Sequence, residues 1–438
     1  MDLLKNATRI EKVLYWTFVL TWVFYAVGAL YIVGPVLGWL VFMAALIGLY
    51  LGPAAPDDLQ MTGPVPISVW VWMGFIALML IVLWIGHYNF DLGLAKVIKS
   101  SVGWAKGWAL LAIFIFIGAM LPIRRELLIR AQCVVGLHTL ILLPLLIAAP
   151  LIGMPESIFV SPLKAVGGPG PEYFTVYLYT IDPASGAQRW QFYAPWSPFA
   201  GLLAVIMVLC ALEEKVTFWK VCGVAAGVAM ILMTKSRMSL IGVVACGGAA
   251  WLIPWMSRTY AWYIAASVSA VGVFIVETLM FQIQSSIDYF RGSRASSSHV
   301  RDTLQRIAWE RWWGEAQFFG HGTVEAGGPM TAYMPIGSHH SWYGLLFVKG
   351  AVGFFALLVP VLYSLAEMTL FAISRVEGRL PFGLLLAVIF FSLGENIEVQ
   401  VYLFWPAMVL IGIGTRQWWG YQLYTVYRKQ QSKSGKPI

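Results

Sequence analysis

Residues 67–87, ISVWVWMGFIALMLIVLWIGH, decide the fold, because they form an unbroken apolar run without Asp, Glu, Lys or Arg. An α-helix needs about 20 apolar residues to cross the hydrocarbon core of a bilayer. A membrane-spanning β-barrel would instead show strands of ~10 residues with alternating polarity. The run is about twice that length and does not alternate, so it predicts a transmembrane helix.

The composition extends this prediction to the whole chain. Of its 438 residues, 59% are hydrophobic and only 11% are charged. Soluble domains carry about 25% charged residues, so this chain has too little charge to cover a water-facing surface of its size. The sequence therefore predicts an all-α integral membrane protein. Four cysteines all lie in apolar runs, where they are typical of small core residues.

Apolar runs of spanning length predict about 12 transmembrane helices. They fall at 13–34, 36–52, 67–87, 104–123, 131–153, 197–213, 216–234, 238–255, 260–280, 342–365, 380–397 and 399–415. We expect residues 1–280 to hold helices 1–9 with an outer loop at about 154–196. A long helical outer loop at 281–341 then precedes helices 10–12 within 342–415, and 416–438 form a cytoplasmic tail.

Lysine and arginine positions give the predicted orientation. With both termini in the cytoplasm, the short inner loops and the termini hold more than half of the 29 Lys and Arg residues, as the positive-inside rule requires. The net charge of +8 is then explained by membrane faces and anionic lipid. We therefore expect membrane lipids, and not nucleic acid, as partners.

Arginines on the predicted outer face depart from that rule. The loop 281–341 carries Arg291, Arg294, Arg301, Arg306 and Arg311, and Arg189 and Arg237 lie at the outer edges of other spans. The arginine side chain presents a rigid fork of donors that suits phosphate. These arginines together indicate an anionic ligand at the outer face of the membrane. The alternative interpretation is contact with lipid headgroups or pairing with glutamates.

Two outer segments have a pattern of their own. The β-branched and aromatic stretch 173–181, YFTVYLYTI, indicates a short strand or an interfacial segment. Residues 301–319 have helical spacing and a tryptophan-rich face around Trp309 and Trp313, which is typical of a helix in the membrane interface. An ordinary helix covering the bundle fits the same pattern.

His339 and His340 come directly before the tenth predicted span. At this level a histidine can exchange protons near neutral pH, which favours a catalytic base. The alternative is a helix cap, for which Ser338 or Ser341 would serve. The sequence has no Walker, GxSxG or HExxH motif, and no DxD or ExD on its outer face. We therefore expect no cofactor and no metal ion.

Three stretches resemble the O-antigen ligase and O-antigen polymerase superfamily of bacterial envelope glycosyltransferases. The run His339–Tyr343, followed by Leu346, Gly350 and Gly353, is similar to the family's His-Asn-x-Tyr pattern with its spaced glycines. Thr-Lys-Ser-Arg at 234–237 resembles the family's Thr-x-Ser-Arg. Arg189 ahead of Ser-Pro-Phe-Ala at 197–200 is similar to the family's arginine before a span. His340 stands where Asn is usual, so His339 and His340 both remain open as the functional histidine.

A fourth, looser likeness lies in the outer loop. Arg306 and Trp309, followed by Gly-His-Gly at 320–322, resemble the family's Arg-x-x-x-Trp helix, with tighter spacing. The resemblance implies a fold similar to C-type membrane glycosyltransferases. It also implies transfer of O-antigen from undecaprenyl diphosphate to lipid A–core, without metal, at the periplasmic face of the inner membrane.

The site residues implied by the resemblance fall into two groups. The expected catalytic residues are His339 and Arg306, and the expected substrate-binding residues are Arg189, Arg237, Arg301, His340 and Trp342. One alternative function is the O-antigen polymerase of the same superfamily. Another is a flippase or transporter of lipid-linked oligosaccharides, which would concentrate charge at mid-membrane. Among the basic residues only Lys106, Lys220 and Lys349 lie within the predicted spans, which favours an enzyme.

Overall fold

The computed structural model describes residues 2–182, 186–264, 266–267, 269, 295–331 and 333–434. Its α-helices are α1 Asp2–Lys5, α2 Arg9–Val19, α3 Thr21–Ala26, α4 Leu30–Leu51, α5 Ile67–Asn89, α6 Leu94–Lys106, α7 Trp108–Met120, α8 Arg125–Leu151, α9 Ser197–Leu212, α10 Thr217–Thr234, α11 Arg237–Leu252, α12 Ala295–Glu315, α13 Ser341–Ser374, α14 Arg379–Ser392 and α15 Val401–Ser434. Short 3-10 helices lie at Gly52–Ala54, Pro162–Val166, Pro171–Phe174, Ile253–Ser257, Pro329–Thr331, Val376–Gly378 and Glu398–Gln400.

Within the described ranges, 8 helical segments are long and apolar enough to cross a bilayer. They are Leu30–Ala54, Ile67–Asn89, Leu94–Met120, Arg125–Leu151, Thr217–Thr234, Arg237–Ser257, Ser341–Ser374 and Glu398–Arg428. The prediction of an all-α membrane protein is confirmed, while the total of about 12 spans stays a prediction. The predicted span at 260–280 lies largely outside the described residues.

Two predicted spans contain a local backbone break that hydropathy does not register, and the predicted tail is largely helical. The run 13–34 is not one helix: α3 ends at Ala26, Gly28 takes a left-handed φ of 67°, and α4 begins at Leu30. The run 380–397 is helical only to Ser392, where α14 ends. The predicted tail at 416–438 continues α15 as far as Ser434.

Helices α7 and α15 form the centre of the bundle. Every residue of α7 is buried. Glycines at the contact let the two backbones approach closely: a Cβ at Gly118 would overlap the Val409 carbonyl, and one at Gly412 would overlap the Ile115 carbonyl. Small residues of this kind are how helices pack tightly where no hydrophobic effect drives them together.

A kink in α13 joins this helix to the end of α12. Gly350 has φ 62° and ψ −167°, which interrupts the helical hydrogen bonding. The chain after α12 supplies the missing partners: Ala351 and Val352 donate to carbonyls at 317 and 318 (2.8 and 3.1 Å), and N–H groups at 321 and 322 donate to carbonyls at 347 and 348 (both 2.9 Å). Unpaired backbone groups are costly inside a membrane protein, so this clasp holds α12 against α13.

The loop 154–196 holds two pairs of short antiparallel strands together with two of the 3-10 helices. Strand β1 Ser157–Val160 pairs antiparallel with β2 Thr175–Tyr177, and β3 Thr180–Ile181 pairs with β4 Gln188–Arg189. In the second hairpin Thr180 lies opposite Arg189. The strand interpretation of 173–181 is therefore confirmed, and β4 carries Arg189 to the end of the bundle.

Candidate functional site

The functional groups gather around the turn at 394–396, between α14 and α15. Several helix ends meet there: α10 ends at Thr234, α11 begins at Arg237, α13 begins at Ser341 and α14 ends at Ser392. The three sequence stretches that carry the family resemblance all reach this turn, although they are far apart along the chain.

The histidine stretch is tied to the turn by Ser341. Its hydroxyl donates to the Glu395 carbonyl (2.7 Å) and accepts from the Ile397 N–H (3.0 Å). Both bonds are buried, so they attach the first residue of α13 firmly to the turn. His339 lies two residues before this anchor.

Arg189 is attached to the end of α10. The backbone N–H of Trp190 donates to the Met233 carbonyl (3.3 Å), and Nε of Arg189 donates to the Thr234 carbonyl (3.4 Å). Nη1 of Arg189 also lies 3.5 Å from Oδ2 of Asp182. The second and third resemblance stretches are thus in direct contact.

Arg237 follows the reversal between α10 and α11. Lys235 adopts a left-handed φ of 50°, which turns the chain back between the two helices. Next to Arg237, the sulfur of Met238 packs so tightly against Gly394 that a Cβ there would overlap it. The half-buried Arg237 therefore begins its helix beside the same turn.

Glu395 is the buried acid of this turn. Its side chain is 1% exposed, and its Oε2 accepts from Trp196 Nε1 (2.7 Å). Its Oε1 has no hydrogen-bond partner among the described residues. Burial raises the pKa of the carboxyl to about 7, and the positive charges of Arg301 and Arg189 oppose the rise.

The positive charge of Arg301 acts on both Glu395 and His339. Arg301 lies on α12, whose buried Ala308 belongs to one apolar cluster with Phe347 of α13. Burial lowers the pKa of His339 to about 4, and the charge of Arg301 adds to that shift. The His339 imidazole is therefore neutral at pH 7. We call Arg189, Arg301, His339 and Glu395 the Glu395 cluster.

The two adjacent histidines have different roles in the backbone. His339 has a left-handed φ of 64°, an uncommon conformation for a residue other than glycine. His340 is the N-cap of α13, and its Nδ1 accepts from the Tyr343 N–H (3.4 Å). The interpretation of this stretch as a helix cap is therefore confirmed, but the capping residue is His340 and not Ser338 or Ser341, because the Ser341 hydroxyl bonds to the turn. Burial also lowers the pKa of His340.

The indole N–H of Trp342 is hydrogen-bonded within the protein. The indole N–H donates to the Ser392 hydroxyl (2.9 Å), and the ring packs edge-on against Phe354 at 5.2 Å. These contacts join α13 to α14 below the cluster. A contact of Trp342 with substrate stays a prediction.

Arg306 lies apart from the cluster. It follows Arg301 by five residues, which is about 140° around a helix. It is exposed, and it has no hydrogen bond or ion pair among the described residues. The structure therefore does not bring Arg306 together with His339.

The other residues singled out in the outer loop also lie in different surroundings. Trp309 and Trp313 are 48% and 61% exposed, with parallel rings 6.5 Å apart, so the predicted aromatic face of this helix is confirmed. Arg311 is paired with Glu315 (2.8 Å) and with Glu325 (2.6 Å), which indicates a structural role. Arg291 and Arg294 lie outside the described residues.

Sequence reasoning missed Glu395 as a site residue. In the sequence it is one of two acids, Glu395 and Glu398, near the outer end of the predicted span 380–397. The available signal was a Gly-Glu-Asn turn at 394–396 directly after an apolar helix, where an acid has no obvious structural purpose. What singles it out is burial beside two arginines, which is a tertiary property.

The arrangement suits binding of an anion next to a proton acceptor. Arg189 and Arg301 supply positive charge, and α11 and α13 begin beside the cluster, where helix dipoles also favour negative charge. Among the described residues, no three His, Cys, Asp or Glu side chains are grouped to hold a metal ion. Comparison of the chain with models of protein families and with curated proteins finds no match.

Proposed function

We propose that this chain is a membrane glycosyltransferase of the O-antigen ligase type. It would transfer O-antigen polysaccharide from undecaprenyl diphosphate to lipid A–core at the periplasmic face of the bacterial inner membrane. One observation carries the proposal: Ser341, two residues after His339, is hydrogen-bonded to Glu395, and the positive charges of Arg189 and Arg301 both act on that buried acid at one end of an apolar helical bundle.

The arginines fit the diphosphate of the donor. Guanidinium groups make charge-assisted, often bidentate bonds to phosphate oxygens, and those bonds strengthen as charge develops on a leaving group. Arg237 begins α11 beside the same turn and would add a third donor fork. The polyprenyl tail of the carrier would remain in the bilayer beside the bundle.

His339 would act as the base. Its imidazole is neutral at pH 7, so it is able to accept a proton. The acceptor hydroxyl oxygen attacks the anomeric carbon while the bond from that carbon to the diphosphate oxygen breaks. The hydroxyl proton passes to His339, and the electron pair leaves with the diphosphate. Direct displacement inverts the anomeric centre.

Reconstitution tests this proposal. The purified protein in lipid nanodiscs is given undecaprenyl-diphosphate-linked O-antigen and lipid A–core, and ligated product is followed by gel electrophoresis. Ligation by the wild type that disappears in His339→Asn and in Arg301→Ala would support the assignment. Arg428→Ala is the matched control, because Arg428 is exposed near the end of α15 and away from the cluster.

The alternative functions give different outcomes in the same system. A polymerase would lengthen the polymer on the carrier and leave lipid A–core unmodified. A flippase would move the lipid-linked donor across the bilayer without forming a glycosidic bond. Either result, with no ligated product, would contradict the ligase assignment.

A further inference from the structure

The Glu395 carboxyl has no obvious structural purpose in its surroundings. Only 1% of the side chain is exposed, one oxygen accepts from Trp196, and the other has no partner among the described residues. Burying an ionised carboxylate is costly unless opposite charge lies near. The nearby arginines are the groups that make this burial tolerable.

The charges around Glu395 come from every element packed on the turn. The positive charges of Arg301 on α12 and of Arg189 on β4 both act on Glu395. The remaining titratable or charged groups near the turn are Arg237 at the start of α11, His339 and His340 before α13, and Glu398. Arg301 makes no ion pair within 4.0 Å among the described residues, whereas Arg189 also has Asp182.

We infer that Glu395 is a positioning residue whose buried carboxylate balances the arginine charges before a diphosphate binds, and that it takes up a proton from solvent when a diphosphate binds to those arginines. The inference rests on the proposed function, since it assumes that the arginines receive a diphosphate. An incoming diphosphate satisfies the arginines and places negative charge beside the carboxylate. Both effects favour the neutral carboxyl.

The linkage has a definite sign. Before diphosphate binds, the pKa of Glu395 is about 7, and a bound diphosphate raises this pKa further. Below pH 7 the carboxyl is already protonated, so binding takes up no proton. Above pH 7 binding requires proton uptake, and affinity falls by at most about tenfold per pH unit.

Titration calorimetry on the full-length protein in nanodiscs tests this. The probe is farnesyl diphosphate, measured at pH 6, 7, 8 and 9 in two buffers of different ionisation enthalpy. Wild type is compared with Glu395→Gln, which keeps the shape but cannot ionise. Because the same probe is used throughout, its own ionisation cancels in the comparison. Glu398→Gln is the matched control, since Glu398 lies near Lys349 instead of the arginines.

The expected result is a ratio of wild-type to Glu395→Gln affinity that falls roughly 10-fold or more between pH 7 and 9, with Glu398→Gln following the wild type. Wild type should also take up a measurable fraction of a proton at pH 8, a result that does not require any variant to fold. Equal pH dependence in wild type and Glu395→Gln, or no proton uptake, would overturn the inference alone. Absence of binding to wild type at every pH would overturn the proposed diphosphate site and the inference together.

Discussion

The hydroxyl of Ser341 donates a 2.7 Å hydrogen bond to the carbonyl oxygen of Glu395. These two residues are 54 positions apart, and the bond ties the start of α13 to the turn after α14. It sets the distance between the histidine stretch and the buried acid. The arrangement of the cluster therefore depends on one small polar side chain that does not itself carry charge.

Replacing that serine tests its anchoring role. Ser341→Ala leaves the Glu395 carbonyl and the Ile397 N–H without their buried partner, so we expect a loss of about 1–3 kcal/mol in the free energy of unfolding. The measurement is thermal unfolding in detergent. The control is Ser257→Ala, whose exposed hydroxyl bonds only to its own turn. Equal Tm values for both variants would contradict an anchoring role.

Removing the imidazole of His339 tests its role as base. We expect His339→Asn to lower the ligation rate by roughly 10²–10⁴-fold, the usual contribution of a general base. Asparagine is chosen because it tolerates the left-handed backbone found here, so folding is preserved. The measurement is the initial rate of ligation in nanodiscs. If His340→Asn shows the large loss and His339→Asn does not, the functional histidine is His340.

Replacing Arg301 and replacing Arg306, two of the three arginines of α12, should affect ligation differently. The charge of Arg301 acts on both His339 and Glu395, whereas Arg306 lies about 140° around the helix from Arg301. We expect Arg301→Ala to reduce ligation by roughly 10²–10³-fold, as the loss of a charge-stabilising donor does, and Arg306→Ala to reduce it much less. The measurement is kcat/KM for the lipid-linked donor. The opposite ranking would show that α12 presents its other face to the substrate.

The lowered pKa of His339 also predicts a pH dependence of stability. Its ordinary value of 6.5 falls to about 4 in the fold, so the unfolded chain binds the extra proton between those values. This group's contribution to stability is complete above pH 6.5 and is lost as pH falls toward 4. Glu395, with its raised pKa, acts in the opposite sense in an overlapping window.

Comparing wild type with His339→Asn separates the effect of His339 on the pH dependence of stability from that of Glu395. Tm is measured from pH 4 to 7 for wild type and for His339→Asn. We expect wild type to lose more Tm on acidification than His339→Asn does, because only wild type carries the imidazole. Parallel curves would mean that His339 is solvated and has an ordinary pKa.

The kink at Gly350 provides a test of the clasp between α12 and α13. A Cβ at Gly350 would overlap the Phe318 backbone, and φ is 62° there. We expect Gly350→Ala to lower Tm strongly and to reduce ligation, since it displaces Arg301 from the cluster. Gly103→Ala, in a helix with nothing within 4 Å of the added methyl, should instead be neutral or stabilising. The measurement is Tm in detergent, and a similar Tm for both variants would contradict the clasp.

The membrane class could be predicted from the sequence, because it depends on composition and on the length of apolar runs. Local features followed as well: the strands in 173–181 have a β-branched and aromatic composition, and the tryptophan face of α12 follows from helical spacing. Helix breaks at Gly28 and Gly107 were not predicted, because hydropathy averages over a window and one glycine does not change it. The family resemblance selected His339 and the arginines, and it stays a proposal.

The sequence by itself determined that this protein is an apolar helical bundle with arginines and histidines at the ends of its helices. Only the tertiary structure decided which of them share a site. Arg301 lies with His339 and Arg306 does not, because five residues rotate a helix by about 140°. Glu395 is part of the cluster because Trp196, Ser341 and the two arginines surround it. These residues are far apart along the chain and come together only on folding.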